Sequence, residues 1–143
     1  MDAGSTATDA SHALLDELGL TAGQYVHEFC YDEDVDHGLR ERLEAALGTE
    51  LQPEEDQEPV DAVLLWWRAD DGDATDLADT LVDAQASLEE GPVWVMTPRK
   101  GRDGHVEPAD VQEAATTAGL HATTGAGVSE DWAAVKLVQK RGG

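Results

Sequence analysis

Apolar positions change their spacing several times along this chain, and each change marks an element. Leu14, Leu15 and Leu18 fall three and four apart, which predicts a short helix capped by Ser11 and stopped by Gly19. Gln24 to Tyr31 is rich in Tyr, Val and Phe and reads as a strand. From Asp36, Leu39, Leu43, Ala46 and Leu47 recur at helical spacing up to Gly48. Leu51 to Pro59 is an acidic loop, because Pro53 and Pro59 suit neither a strand interior nor a helix interior. Val60 to Arg68 is almost continuously apolar, as expected of a strand buried on both faces of a parallel sheet. Asp70-Asp71-Gly72-Asp73 then turns into a helix whose stripe is Leu77, Leu81, Ala84 and Leu88, with Gly91-Pro92 as its end. Val93 to Met96 is a second buried strand, leaving through the long loop from Thr97 to Gly104. Pro108 suits a first helical turn, and Val111, Ala114, Ala115 and Ala118 continue that helix to Gly119. His121 to Gln139 reads as two strands joined around Ser129-Glu130-Asp131, the second running from Ala133 to Val138.

The order is therefore β-α-β-α-β-α-β-β. Strands separated by helices pair in parallel through right-handed crossovers. The first strand, 60–68 and 92–97 are expected side by side and parallel, followed by an antiparallel hairpin. The polar stretch 1–10 is expected to be a disordered tail, and 11–143 a single α/β domain.

Charge narrows the function classes. The 143 residues carry 31 acids against 9 bases, a net charge of −22. Nucleic-acid binding needs a concentrated basic surface and is not expected. Solubility, or a halophilic or lysine-poor proteome, accounts for such acidity, and so does a surface that meets a basic protein partner. No apolar run approaches the roughly 18–20 residues of a membrane span, and the N-terminus has no basic or apolar stretch of a secretory signal. A single cysteine, Cys30, forms no intramolecular disulfide, so a cytoplasmic location is expected.

Two resemblances follow from these phrases. Ala62–Trp67, Leu77–Gly91, Val93–Pro98, Ala118-Gly119-Leu120 and the final strand pair are similar to the C-terminal half of a Rossmann-like methyltransferase. Leu20 to Phe29 resembles the entry to the first strand of that fold, with Glu28 at its acidic position. The two middle β-α units are missing, since about a dozen residues separate Gly48 from Val60. The resemblance implies a minimal Rossmann-like sandwich of about five strands, mostly parallel with a C-terminal antiparallel hairpin. It also implies no S-adenosylmethionine site: Cys30, Asp32 and Asp34 stand where that fold needs glycines for close backbone approach to the cofactor. More closely, Gln24–Asp36, Val60–Asp73 and Thr97–Asp110 resemble a small acidic family found in actinobacteria, catalogued only as a domain of unknown function (number three-thousand-fifty-two).

In an open α/β sheet, ligands bind outside the carboxyl ends of the strands. Three loops are expected there. Two are acidic and supply Asp32, Asp34, Asp36, Asp70 and Asp71. The third supplies Arg99, Lys100, Arg102 and His105. They are the candidate ligand or partner residues, and a salt-bridged rim is the simpler reading of the same charges. Asp32, Asp34 and Asp36 alternate like calcium-loop oxygens. His37 and Leu43, however, stand where that loop needs Gly and Glu, so helix capping is the better reading and no metal is expected. The order of a response-regulator receiver is echoed by Asp70 or Asp71 and Thr97, but its lysine is missing. Cys30 lies among acids, which disfavours a thiolate. The histidines show no metal-ligand spacing, and His27 is expected as a hydrogen-bonded core residue. Ser5, Ser11, Ser87 and Ser129 lie in no Gly-x-Ser-x-Gly elbow. Trp66, Trp67 and Trp94 are core candidates, and Trp132 a surface anchor. The reading that results is a non-catalytic binding or regulatory module. The alternative is a small-ligand enzyme or sensor using Asp70, Asp71, Arg99, Lys100 and His105.

Overall fold

A computed structural model describes residues 12–139. The expected tail over 1–10 and the Ser11 cap lie outside them. The elements are α1 (residues 12–18), β1 (Val26–Phe29), α2 (His37–Leu47), β2 (Ala62–Trp66), a 3-10 turn (Ala69–Asp71), α3 (Ala74–Ala84), β3 (Val93–Pro98), α4 (Pro108–Thr117), β4 (Leu120–Ala126) and β5 (Trp132–Gln139). They form one five-stranded sheet in the order β1-β2-β3-β5-β4. The first three strands are parallel, with Val26 opposite Ala62 and Val63 opposite Val93. β5 lies antiparallel to both β3 and β4. This is the expected mixed α/β, Rossmann-like sheet with its closing hairpin.

The apolar run of β2 is explained by two cores. Ala62, Leu64 and Trp66 pack with Leu15 and Leu18 of α1 and Leu39, Leu43 and Leu47 of α2. Val63 and Leu65 point the other way, to Leu77 and Leu81 of α3 and Val111 and Ala115 of α4. Successive strand residues alternate faces, so a strand covered on both sides has no polar position to give.

The first two strands are shorter than the sequence reading, Val26–Phe29 for 24–31 and Ala62–Trp66 for 60–68, and three further features depart from it. First, α3 ends at Ala84, and Leu88 leaves the helical stripe. Leu88 instead forms an isolated parallel bridge with Val60, with the Val60 N–H donating to the Ser87 carbonyl at 2.8 Å. Second, Gly91 does not stop that helix. A Cβ there would lie 1.5 Å from the Asp61 carbonyl oxygen, so close backbone approach requires glycine. Third, the acidic loop contains a trace of sheet: Gln52 bridges His27 in parallel on the edge of β1 that β2 does not occupy. The Glu28 N–H donates to the Gln52 carbonyl and the Gln52 N–H to the Val26 carbonyl, both at 2.8 Å.

That bridge sets the topology. The chain steps outward from β1 through α2 to Gln52, then returns inward over residues 53–60 to enter β2. With right-handed connections, a step outward and a step inward place their connecting segments on opposite faces. α2 accordingly packs on one face, while residues 54–57 border a groove with His27, Phe29 and the end of α3 on the other. The direction of travel reverses at β1. The crevice at the carboxyl ends of β1 and β2 is therefore the switch point of the sheet, the place where this architecture binds ligands.

Candidate functional site

Glu28 sits inside β1 and is only 6% exposed. A charge so buried must be paired. Arg40 of α2 supplies a two-pronged partner, its Nε and Nη2 donating to the carboxylate at 2.7 and 2.9 Å. The Trp66 indole N–H donates to the same carboxylate at 2.9 Å. The hydrogen bond to Glu28 raises the Arg40 pKa above its ordinary value. Its guanidinium also lies 4.8 Å from the Tyr31 ring centre, a cation–π distance. Glu28, Arg40 and Trp66 thus bolt α2 to the first two strands, and both carboxylate oxygens are hydrogen-bonded.

The switch-point crevice is closed by Arg68, the second residue after β2. Its Nη1 donates to the Cys30 carbonyl at 2.9 Å and to the Trp66 carbonyl at 3.2 Å, joining the ends of β1 and β2. Nε and Nη2 grip both oxygens of Asp34, the Nε contact at 3.0 Å. Asp71 accepts from Nη1 at 3.3 Å and from the Arg68 backbone N–H at 2.9 Å. The guanidinium plane is backed by the Trp132 ring, 5.3 Å from its centre. Burial works against this cation, but Asp34 and Asp71 outweigh it and leave its pKa raised. In return, hydrogen bonding from Arg68 holds the Asp34 carboxyl below its ordinary value.

Cys30 begins the loop that leaves β1. Its φ of +60° makes it the only non-glycine residue in the left-handed region among those described. The backbone keeps the turn for which glycine is suited, at a cost of about 1–2 kcal/mol for a residue with a Cβ. The thiol is half-buried, and burial, reinforced by Glu54 and Asp71, pushes its pKa up to about 11. A nucleophilic thiolate is disfavoured there.

The nine candidate residues do not converge on one point. Asp34 and Asp71 meet on Arg68. Asp36 caps α2, accepting from the Leu39 N–H at 2.9 Å, and takes the Ser129 hydroxyl hydrogen at 2.7 Å. The Asp32 carboxylate accepts from its neighbour, the Glu33 N–H, and the residue is exposed, as is Asp70. Arg99 turns toward the hairpin, donating to the Ser129 carbonyl at 2.8 Å. Arg102 pairs with Asp131 at 3.1 Å on the surface. His105 shares a hydrogen bond with the Pro98 carbonyl at 2.9 Å and lies 3.2 Å from Glu107. Lys100 is exposed. A cleft of about 360 Å³ beside α3, walled by Trp67, Leu77 and Glu107 among others, takes His105 alone from this set. A polar cleft of about 590 Å³ lies between residues 34–37 and the hairpin loop at 127–132. Among the described residues no three His, Cys, Asp or Glu side chains are grouped to hold a metal ion.

Arg68, Arg40 and Ser129 carry the site, and the sequence reading did not single them out for it. Arg68 had a signal: a lone cation closing an apolar strand, followed at once by Asp70-Asp71. Trp132, expected at the surface, is 2% exposed beneath Arg68 and edge-on to Trp66 at 4.9 Å. It is a core residue because the hairpin folds its first turn over the carboxyl ends of the parallel strands. His27 is buried as expected, its Nε2 3.0 Å from the Glu54 carbonyl. No helix among the described residues is long and apolar enough to cross a membrane.

The fold is shared with solved methyltransferases. Magnesium protoporphyrin IX methyltransferase from Synechocystis, solved with bound SAM, superposes at a TM-score of 0.58 with 10% identity, covering 95% of this chain and 79% of that one. The O-methyltransferase NcsB1 of neocarzinostatin biosynthesis, in complex with S-adenosylmethionine, does so at 0.60 with 15% identity, covering 96% and 57%. At these identities the likeness is one of fold. By sequence, the chain is 45% identical over 143 residues to the uncharacterised protein Rv2239c of Mycobacterium tuberculosis, covering 98% of this chain and 88% of that protein. The uncharacterised protein Mb2263c of Mycobacterium bovis matches to the same extent. The model of the family described as "Protein of unknown function (DUF3052)" matches residues 15–141, and the chain belongs to that family.

Proposed function

We propose that this protein is a non-catalytic cytoplasmic binding or regulatory module, built on a methyltransferase-like fold, whose acidic carboxyl-end loops meet a basic protein surface. The observation that carries this reading is the Arg68 clamp. In this architecture a cofactor enters the crevice between β1 and β2 and lies against backbone. Here a guanidinium spans that crevice and uses the Cys30 and Trp66 carbonyls. The Cys30 side chain stands at the turn, and the Arg68–Asp34 ion pair lies beside it. The residues present do not fit that cofactor. The acids left exposed around the clamp, Asp32, Glu33, Asp70 and Glu130, suit a cationic partner instead.

Two measurements test the reading. A thermal-shift titration with S-adenosylmethionine should leave the melting temperature unchanged. A ligand at a hundred times its Kd adds about 2.7 kcal/mol, so a shift of several degrees would overturn the proposal. Pull-downs from native cell extract should recover a basic protein at low salt and lose it at high salt. The Asp32→Lys/Asp70→Lys variant, which spares the clamp, should lose it as well. Retention by that variant would count against the acidic loops.

A further inference from the structure

The inward crossing of residues 53–60 does not cover β1 as a helix would. It leaves a groove of about 540 Å³ on the α3 side of the strand, with His27 and Phe29 at its base. Glu54, Glu55, Asp56 and Gln57 wall it on one side, and Asp83, Ala86 and Ser87 on the other. His27 is 3% exposed. Its Nε2 faces the Glu54 carbonyl at 3.0 Å. A carbonyl oxygen only accepts, so Nε2 carries a hydrogen, and in the neutral imidazole Nδ1 is then left as a lone-pair acceptor. That Nδ1 is buried and has no hydrogen-bond partner. A buried acceptor without a donor is rare in a folded protein and calls for an occupant that donates.

The rim says what kind of donor. Glu54 gives one oxygen to the Cys30 N–H and Asp56 one to the Glu58 N–H. Their remaining oxygens, with Glu55 and Asp83, make the groove repel anions. Phe29 and Ala86 offer apolar wall to an aliphatic stem. We propose that this groove receives an arginine side chain of the basic partner, one guanidinium N–H going to His27 Nδ1 and the others to the rim carboxylates. The planar fork of arginine presents several donors at once, which a lysine ammonium cannot match in that geometry. This inference rests on the reading above that the partner is basic, and it places the contact beside β1 instead of at the carboxyl-end loops alone.

The test uses the full chain labelled with ¹⁵N-histidine and the peptide acetyl-Gly-Arg-Gly-Arg-Gly-amide as probe, near neutral pH and physiological salt. The His27 Nδ1 resonance should move saturably as the lone pair gains a donor. His27→Phe should weaken binding by about tenfold or more, the scale of a hydrogen bond to a charged group. The lysine analogue of the peptide should bind more weakly than the arginine one. Should His27→Phe fail to fold, Glu55→Lys/Asp83→Lys changes only exposed rim residues and should abolish the same binding. An unmoved Nδ1 resonance, equal binding by the variants, or equal binding of the two peptides overturns the inference. Binding that perturbs only residues 32–36 and 70 would reject this groove and leave the acidic-loop reading standing. An absence of binding at any site would reject both.

Discussion

Arg68 Nη1 lies 2.9 Å from the Cys30 carbonyl oxygen, a contact between the ends of two adjacent parallel strands that are 38 positions apart in the chain. With the Trp66 carbonyl as its second acceptor, this one charged donor satisfies both strand ends and holds the two loops together.

Removal of that guanidinium should therefore be felt as stability. Arg68→Ala is expected to cost about 1–3 kcal/mol, because two carbonyls lose a charged donor while Asp34 is left half in water. Arg68→Lys should recover only part of the loss, since a single ammonium cannot serve both carbonyls and both Asp34 oxygens. Urea unfolding of the three proteins checks this, and full recovery by lysine would contradict the fork geometry.

The Glu28–Arg40 pair makes a prediction of order. Arg40→Ala leaves a buried carboxylate with only the Trp66 indole, and should cost about 3–5 kcal/mol. Glu28→Gln keeps an acceptor for Trp66 and frees a cation that is already one-fifth exposed, so it should cost less, about 1–3 kcal/mol. The denaturant midpoints of the two variants give the comparison. A reversed order would mean that burial of Glu28 is relieved by local opening.

Gly91→Ala should be among the most damaging single-methyl changes in the chain. The added carbon would fall 1.5 Å from the Asp61 carbonyl oxygen, which is backbone and cannot rotate away. Overpacking of this kind costs about 3 kcal/mol or more where the backbone must shift. A thermal melt within a degree or two of wild type would show that the two segments separate freely.

Acid should weaken the clamp. Arg68 holds Asp34 below the ordinary carboxyl value of 3.8. The folded state therefore binds fewer protons than the unfolded one in that range. The stability from Asp34 is fully present above the unfolded pKa and is lost as pH falls through the lower folded value. Asp73, the α3 cap, is lowered too, by hydrogen bonds to Asp76, and contributes in the same direction. Unfolding midpoints measured from about pH 6 down to about pH 3 should fall less steeply in Asp34→Asn than in wild type. Parallel curves would remove Arg68–Asp34 from the account of acid sensitivity.

What the amino-acid order determined by itself was the set of elements and their pairing. Ala62–Trp66 had to be a doubly buried strand, because no polar residue interrupts it. Asp36 and Pro108 mark helix starts by local hydrogen-bonding and φ preferences that need no tertiary contact. The alternation of strand and helix then left a parallel sheet closed by a hairpin. What only the tertiary structure decided was which charges meet. Arg68 finds Asp34 and Cys30, Arg40 finds Glu28, and Ser129 finds Asp36, across separations of 12 to 93 positions. The single bridge at Gln52, which places the switch point at β1, is one residue long and leaves no periodicity to read. Helical and strand patterns are repeated signals. A clamp built from one cation and two carbonyls is a single coincidence of position, and only the folded chain brings it about.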